Sequence, residues 1–139
     1  MQHKLIKTTN LKADSELARS QSVPLLVMFS QEHCAFCLKL TEEILEPMLI
    51  SGDYTDRVLI RELMIDGNQD IIDFSGFSTD PREVFSRYLL YVTPSILLLD
   101  SQGKELAERQ IGINTVDYYG YYLDEAINQA LNKIRAGHS

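Results

Sequence analysis

The segment PLLVMFSQEHCAFCLKLTEEIL, residues 24–45, decides how this 139-residue chain folds. Its first part, residues 25–29, is a short run of large apolar side chains, which predicts a buried strand. After a polar break at residues 30–33, apolar residues recur at the spacing of a helix. Cys34 and Cys37, the two cysteines of the chain, therefore lie where a strand passes into a helix.

The two thiols stand three residues apart at the N-terminus of this predicted helix, so they share one of its faces. The positive end of the helix dipole stabilises an anion at that position. We therefore expect the pKa of the Cys34 thiol to be depressed and Cys34 to act as a nucleophile. The placement favours redox chemistry for the pair.

Three other roles for the Cys34–Cys37 pair fit the sequence less well. A structural zinc site needs four ligands, commonly including a second pair of Cys or His at short spacing, and only three histidines are present, two of them near the termini. Covalent haem attachment needs a histidine directly after the second cysteine, where this chain has Leu38. A purely structural disulfide would close a very small loop and would constrain the unfolded chain little.

Length and composition describe an ordinary globular protein. At 139 residues, 45% of them hydrophobic, the chain is long enough for one domain with a real core. Its net charge of −7 argues against nucleic acid as the main partner. No apolar run approaches the roughly 20 residues of a membrane span. Residues 1–12 are polar and lack the apolar region of a signal peptide.

Patterns on either side of the cysteine segment predict the elements of the N-terminal half. Residues 1–10 are expected to form either a loose tail or an edge strand, and Asn10 is expected to cap a helix that extends to about residue 20. Pro47 falls late in the cysteine helix, where it should kink the helix or begin a new turn. Residues 57–66 alternate in part, which predicts a second strand.

The C-terminal half begins with a long connector, residues 67–80, which contains glycines and acidic residues. A connector of this length is expected either to rim the functional site or to be an inert surface loop with Phe74 and Phe77 as anchors. The remaining predicted elements are a helix led by Pro81 and capped by Asp80, a strand at 96–99, a turn at 100–103, a paired strand at 104–111, and a final helix capped by Asn114 or Thr115 that extends to about residue 135. This order predicts an α/β protein with a central mixed β-sheet and helices on both faces.

The order of elements, with Cys-X-X-Cys at the start of the second helix and Thr93-Pro94 before the third main strand, resembles the thioredoxin superfamily. The resemblance covers residues from about 14 to 131 and includes Ile65-Asp66 at the end of the second strand and Gly112 after the hairpin. The aromatic residue before the second cysteine and the longer connector resemble exported bacterial thioredoxin-like proteins, including the SoxW-like group. The resemblance implies one thioredoxin fold over residues 1–139.

The resemblance also implies roles for individual residues. Cys34 would attack a disulfide, Cys37 would resolve the mixed disulfide, and the peptide bond before Pro94 would be cis, with Pro94 facing the cysteine pair. The backbone of Thr93 would then bind an extended substrate by strand-like hydrogen bonds. The residues expected to contact substrate are Thr93, Pro94, His33 and Phe36. No metal and no organic cofactor are expected, because the redox-active disulfide carries the chemistry.

One departure from the family pattern concerns the proton of the second cysteine. Proteins of the superfamily usually carry a buried acid six residues before the first cysteine, and this acid takes the proton from the second cysteine. This chain has Met28 at that position, and the nearest ionisable candidates are Glu32 and Lys39. We therefore expect resolution by Cys37 to be slow and to follow the ionisation of a thiol.

The sequence thus predicts a monomeric thiol–disulfide oxidoreductase that reduces protein or peptide disulfides. A thiol electron donor must supply it, and exported proteins of this kind usually take electrons from a membrane donor. A periplasmic or otherwise exported location is expected, with a cytoplasmic location left open. The alternative is a binding or chaperone-like module whose cysteine pair is structural or redox-sensing.

Overall fold

The computed structural model describes residues 4–112 and 117–137. Its elements, in chain order, are β1 (Ile6–Lys7), α1 (Leu11–Ser20), β2 (Leu25–Ser30), α2 (Ala35–Leu40), a π-helical turn (Thr41–Leu45), α3 (Glu46–Ser51), β3 (Leu59–Met64), β4 (Ile71–Ile72), β5 (Ser78–Thr79), α4 (Pro81–Arg87), β6 (Ser95–Leu99), β7 (Gln110–Ile111) and α5 (Tyr119–Arg135). None of the described helices is long and apolar enough to cross a membrane.

The main sheet has five strands in the order β1-β3-β2-β6-β7. The central strand β2 pairs in parallel with β3 and antiparallel with β6, and all six of its residues are buried. On one face, Leu26 and Met28 pack beneath α2, the π-helical turn and α5. On the other face, Val27 and Phe29 pack against α1 and α4. The prediction of a mixed sheet covered by helices on both faces is confirmed.

The ends of several elements follow local chemistry that the sequence predicts. The side chain of Asn10 accepts the N–H of Ala13 and caps α1, and Asp80 accepts the N–H of Arg82 and caps α4. Pro47 lies at the start of α3, directly after the π-helical turn. Because proline has no N–H and its ring crowds the preceding turn, the wider π turn keeps the helical path continuous from α2 to α3. Gly52 then ends α3 in the left-handed conformation, at φ 77°.

The connector, residues 67–80, differs from a plain loop because β4 and β5 pair within it. Ile72 donates its N–H to the carbonyl of Thr9, and the Asp73 carboxylate binds Arg87. Phe74 packs on the core beside α4, but Phe77 is 71% exposed and does not anchor the segment. These contacts hold the connector against α1 and α4.

The predicted strand at 104–111 is shorter in the structure, where only Gln110–Ile111 form β7. Earlier in this stretch, Glu105 bridges to Leu99, and Leu106 donates its N–H to the carbonyl of Leu98. Arg109 binds the carboxylate of Glu105 and the carbonyl of Tyr88, so these residues turn away from regular pairing. The predicted caps of the last helix, Asn114 and Thr115, lie outside the described residues.

Candidate active site

Cys34 and Cys37 form a disulfide at the start of α2, with their Cα atoms 5.2 Å apart. Cys34 is the residue just before the helix and is half-buried, whereas Cys37 is only 3% exposed. The backbone N–H of Cys37 donates to Sγ of Cys34 at 3.1 Å. An unpaired amide of the first helical turn thus faces the sulfur that would carry negative charge after reduction.

The loop that leads into α2 is held from the neighbouring strand. The carboxylate of Asp66, just beyond β3, accepts the backbone N–H of Glu32 at 3.0 and 3.2 Å. His33 follows with a φ of 57°, the left-handed conformation, which turns the chain into the helix. These two features set the position of Cys34 relative to the end of β2.

Thr93, which lies just before β6, contacts Cys34. Its hydroxyl donates to Sγ of Cys34 at 3.6 Å, and its carbonyl oxygen is 3.8 Å from the same sulfur. The Thr93–Pro94 peptide bond is cis, and Pro94 is buried at the entry of β6. The carbonyl of Pro94 accepts the N–H of Gly112, which ties β7 to this end of the sheet.

The structure therefore brings four of the six predicted site residues together: Cys34, Cys37, Thr93 and Pro94. The side chain of Phe36 is 56% exposed on α2, and His33 is exposed in the loop before it. Tyr91 and Val92, which precede Thr93, are also exposed, and both line a shallow depression of about 350 Å³ with Thr93. Exposed apolar side chains thus lie on both segments that meet at the cysteine pair, the start of α2 and the residues before Thr93.

A larger cavity of about 650 Å³ is lined by Cys34 and Cys37, and Thr93 does not line it. Its walls come from the N-terminal segment with β1, the end of β2, the loop before α2, the helix itself, α3 and β3, and its lining includes Lys4, Lys7, Ser30, Glu32, His33, Cys34, Cys37, Leu38, Thr41, Glu46, Glu62 and Met64. No residue of the connector at 67–80 contributes to this wall. The connector therefore does not rim the cavity beside Cys34.

Glu62 is the buried acid of this cavity. It lies on β3 directly beside Met28 in the parallel register, and the residue is only 9% exposed. Burial raises the pKa of the Glu62 carboxyl, while a hydrogen bond from the Ser30 hydroxyl and the charge of Lys7 act against that rise. The negative charges of Glu32 and Glu46 raise the same pKa further.

Sequence reasoning missed Glu62 because it searched the strand before the cysteines and the residues next to the motif. The signal was nevertheless present in the alternation of β3, where Ile60, Glu62 and Met64 fall on one face. Ile60 belongs to the core beneath α2, so an acid two residues later had to lie near the cysteines. Of the two candidates named from sequence, Glu32 is exposed at the cavity mouth, and Lys39 is exposed and does not line it.

No group of three or more His, Cys, Asp and Glu side chains within residues 4–112 and 117–137 is arranged to hold a metal ion. The groups that the structure brings together at the site are the cysteine pair, the backbone at Thr93 and the buried carboxyl of Glu62.

Comparison with known proteins places this arrangement in context. Residues 11–134 match the family model described as a thioredoxin-like domain. Among solved structures, the chain is similar to the oxidoreductase DsbH at 16% identity and a TM-score of 0.65, covering 92% of this chain and 85% of that chain. It is also similar to thioredoxin from Fasciola hepatica, at 15% identity and a TM-score of 0.60, covering 91% and 99%.

A third similar structure is the oxidised C-terminal domain of DsbD from Neisseria meningitidis, at 18% identity and a TM-score of 0.57, covering 84% of this chain and 92% of that chain. At these identities the likeness concerns the fold alone. No curated protein matches the chain.

The exposure of the two sulfurs predicts an order of reaction in the reduced protein. We expect iodoacetamide to modify Cys34 before Cys37, because Cys34 lies at the exposed helix terminus and Cys37 is buried. Mass spectrometry of the digested protein after short exposures at a series of pH values measures both sites. The variants Cys34→Ser and Cys37→Ser, each with one thiol, are the controls, and faster labelling of Cys37 at low pH would contradict the assignment.

The raised pKa of Glu62 predicts a stability difference that depends on pH. In the native state this carboxyl keeps its proton above its ordinary value of 4.5, so the native protein binds more protons than the unfolded chain in that interval. Stability therefore falls as pH rises through the interval, and Glu62→Gln removes this loss. We expect the variant to have the larger free energy of unfolding at neutral pH, with the difference shrinking toward about pH 4.

Urea denaturation at several pH values measures this difference, with the exposed residue Glu42 changed to Gln as the matched control. A Glu62→Gln variant that is less stable than wild type at neutral pH would show that the carboxylate stabilises the fold.

Proposed function

The chain belongs to the thioredoxin-like domain family, and from that premise we propose that it is a thiol–disulfide oxidoreductase that reduces protein or peptide disulfides. The observation that carries the proposal is the pairing of a half-buried Cys34 at the start of a helix with a buried Cys37 three residues later. A family member with this pair has the elements needed for disulfide exchange: an accessible attacking sulfur and a second sulfur within bonding reach.

The reaction proceeds in two exchanges. The thiolate of reduced Cys34 attacks one sulfur of the client disulfide, and the other client sulfur leaves as a thiolate. Cys37, as a thiolate, then attacks Sγ of Cys34 and releases the second client thiolate. The client gains two electrons, and Cys34 and Cys37 are left as the disulfide, which a thiol donor reduces again by the same exchange.

The surface next to Cys34 supports a polypeptide as the client. Thr93 contacts the sulfur of Cys34, and the residues before it are exposed, so an extended segment can lie along them with its disulfide at Cys34. Exposed apolar side chains around this point, which include Phe36, Tyr91 and Val92, suit a partly unfolded client. His33 lies on the other side of Cys34 and would reach only the part of a client that passes the cavity.

The same apolar surface favours one second candidate function. A binding or chaperone-like module would also present Phe36, Tyr91 and Val92 to an unfolded chain, with the cysteine pair acting as a structural or redox-sensing disulfide. The two functions differ in what reduction of the pair achieves. Only the oxidoreductase transfers the electrons of Cys34 and Cys37 to its client.

Insulin reduction distinguishes the two functions. We expect the wild-type protein to accelerate the reduction of insulin by dithiothreitol and Cys34→Ser to fall to the uncatalysed rate, because the attacking sulfur is lost. Cys37→Ser, the matched control, should accumulate a mixed disulfide with insulin instead. Equal background rates for wild type and both variants, together with suppression of aggregation of an unfolded protein, would support the binding module.

The direction of electron transfer is the finer part of the proposal, and the resemblance to reductases of the superfamily supports it. Equilibration of the pair in glutathione buffers gives its reduction potential. We expect a value near that of reductants, about −270 mV, and a value near that of strong oxidants, about −120 mV, would reverse the direction.

We also propose an exported, periplasmic-type location, with a membrane-bound dithiol protein as electron donor. Its support is the resemblance of the cysteine motif and connector to exported thioredoxin-like proteins. Fractionation of the source cells with antibody detection checks it: the protein should accompany periplasmic markers, and recovery with cytosolic enzymes would contradict the location without affecting the proposed chemistry.

A further inference from the structure

We propose that Glu62 accepts the proton of the Cys37 thiol when Cys37 resolves the mixed disulfide on Cys34, with the carboxyl supplied from β3 because β2 has Met28. The inference rests on the proposed oxidoreductase function, since it assigns a role in the second exchange. It goes beyond that function by naming the group that makes Cys37 a thiolate.

The sheet places Glu62 on the side of the cysteines. Residues of β3 alternate between its faces, and Ile60, two residues before Glu62, belongs to the core beneath α2. Met28 belongs to the same core and is the register partner of Glu62 on β2. The carboxyl therefore projects from the face that α2 covers, and α2 is the helix that carries Cys37.

The cavity of about 650 Å³ joins the carboxyl to the cysteines. Cys34, Cys37 and Glu62 all line it, and Ser30, at the end of β2, lines it between the strand and the loop. The Ser30 hydroxyl favours the ionised form of Glu62, and a carboxylate has several acceptor positions. A proton can therefore pass from Cys37 to Glu62 within one cavity, directly or through water.

The other charged groups around the cavity are less suited to accept this proton. Glu32 is exposed and already meets bulk water, and Glu46 is half-buried on α3, beyond the last turn of α2. The side chain of Met28 is fully buried but cannot bind a proton. The titratable and charged groups that face Glu62 across the cavity, from all the elements around it, are Lys4, Lys7, Glu32, His33, Cys34, Cys37 and Glu46.

The position also suits a proton acceptor. Burial raises the pKa of the Glu62 carboxyl, so its carboxylate holds a proton more strongly than an exposed carboxylate does. The same burial makes the ionised group unfavourable for the folded state. A buried carboxyl that lines the same cavity as the cysteine pair is a candidate functional group.

The proposed step is balanced as follows. The carboxylate of Glu62 removes the proton from Sγ of Cys37, and the thiolate of Cys37 attacks Sγ of Cys34. A Cys37–Cys34 bond forms, the bond between Cys34 and the client sulfur breaks, and the client leaves as a thiolate that is protonated by solvent. Glu62 then returns its proton to water through the cavity, whose mouth is formed by exposed residues such as Glu32 and His33.

Stopped-flow reaction of the reduced protein with Ellman's reagent tests this step. Attack by Cys34 releases a first thionitrobenzoate, and resolution by Cys37 releases a second, so the two phases are read in one trace. In wild type, we expect the rate of the second phase to rise with the ionisation of a carboxyl and to reach a plateau before the thiol range. In Glu62→Gln, that rate should fall by about 10² near neutral pH and should follow thiol ionisation.

Three variants control the measurement. Glu32→Gln removes an equal charge from the cavity mouth and should keep the carboxyl-dependent profile, and Cys37→Ser should lose only the second phase. Met28→Asp combined with Glu62→Gln returns a carboxyl to the neighbouring strand and should restore most of the lost rate. This double variant also reports on the proposal if Glu62→Gln alone folds poorly.

The outcomes separate the two proposals. An unchanged second phase and an unchanged pH profile in Glu62→Gln would overturn the role of Glu62 while the first phase still supports the proposed function. An equal loss in Glu32→Gln would likewise overturn it, because the effect would then come from the net charge of the cavity. Failure of wild type to release either thionitrobenzoate would overturn the proposed function itself, and the role of Glu62 with it.

Discussion

The complete burial of β2 between β3 and β6 is the constraint on which the rest of the structure depends. All six residues of this strand are buried, and a buried side chain of Leu, Val, Met or Phe contributes roughly 1.5–3 kcal/mol. The pairing on both sides fixes where the strand ends, and Cys34 follows four residues after that end. The same pairing brings Glu62 beside Met28 on one side and Ser95 beside Phe29 on the other.

This constraint explains how a buried carboxyl is tolerated so close to the core. The penalty for an ionised group in a protein interior is several kcal/mol after relaxation, and the hydrogen bond from Ser30 and the nearby charge of Lys7 offset part of it. The free energy gained by burying the five apolar side chains of β2 is larger than the part of this penalty that remains. The fold can therefore hold Glu62 at a cost in stability. For this reason, replacing Glu62 is expected to raise the free energy of unfolding at neutral pH and also to slow the proposed proton transfer.

The sequence predicted the parts of the molecule that depend on local chemistry or on strong hydrophobic patterns. The structure has the buried strand before Cys34, the caps Asn10 and Asp80, and a change of helical geometry just before Pro47, and neighbouring residues decide all of these. The cavity with Glu62 depends instead on the register between β2 and β3, which are separated by a helix in sequence. No local pattern encodes that register, so the sequence analysis named only Glu32 and Lys39 as ionisable groups near the cysteines.

The two sides of Cys34 divide the chemistry that the proposed reaction requires. On one side, Thr93 and the exposed residues before it offer a surface to a polypeptide, and nothing ionisable is needed there. On the other side, the cavity holds the charged and polar groups, among them Glu62, Ser30 and Lys7. A client bound along Thr93 would leave this cavity in contact with water. The proton that Cys37 loses can then reach solvent while the client still covers Cys34. The bound client therefore does not block the route by which this proton leaves the site.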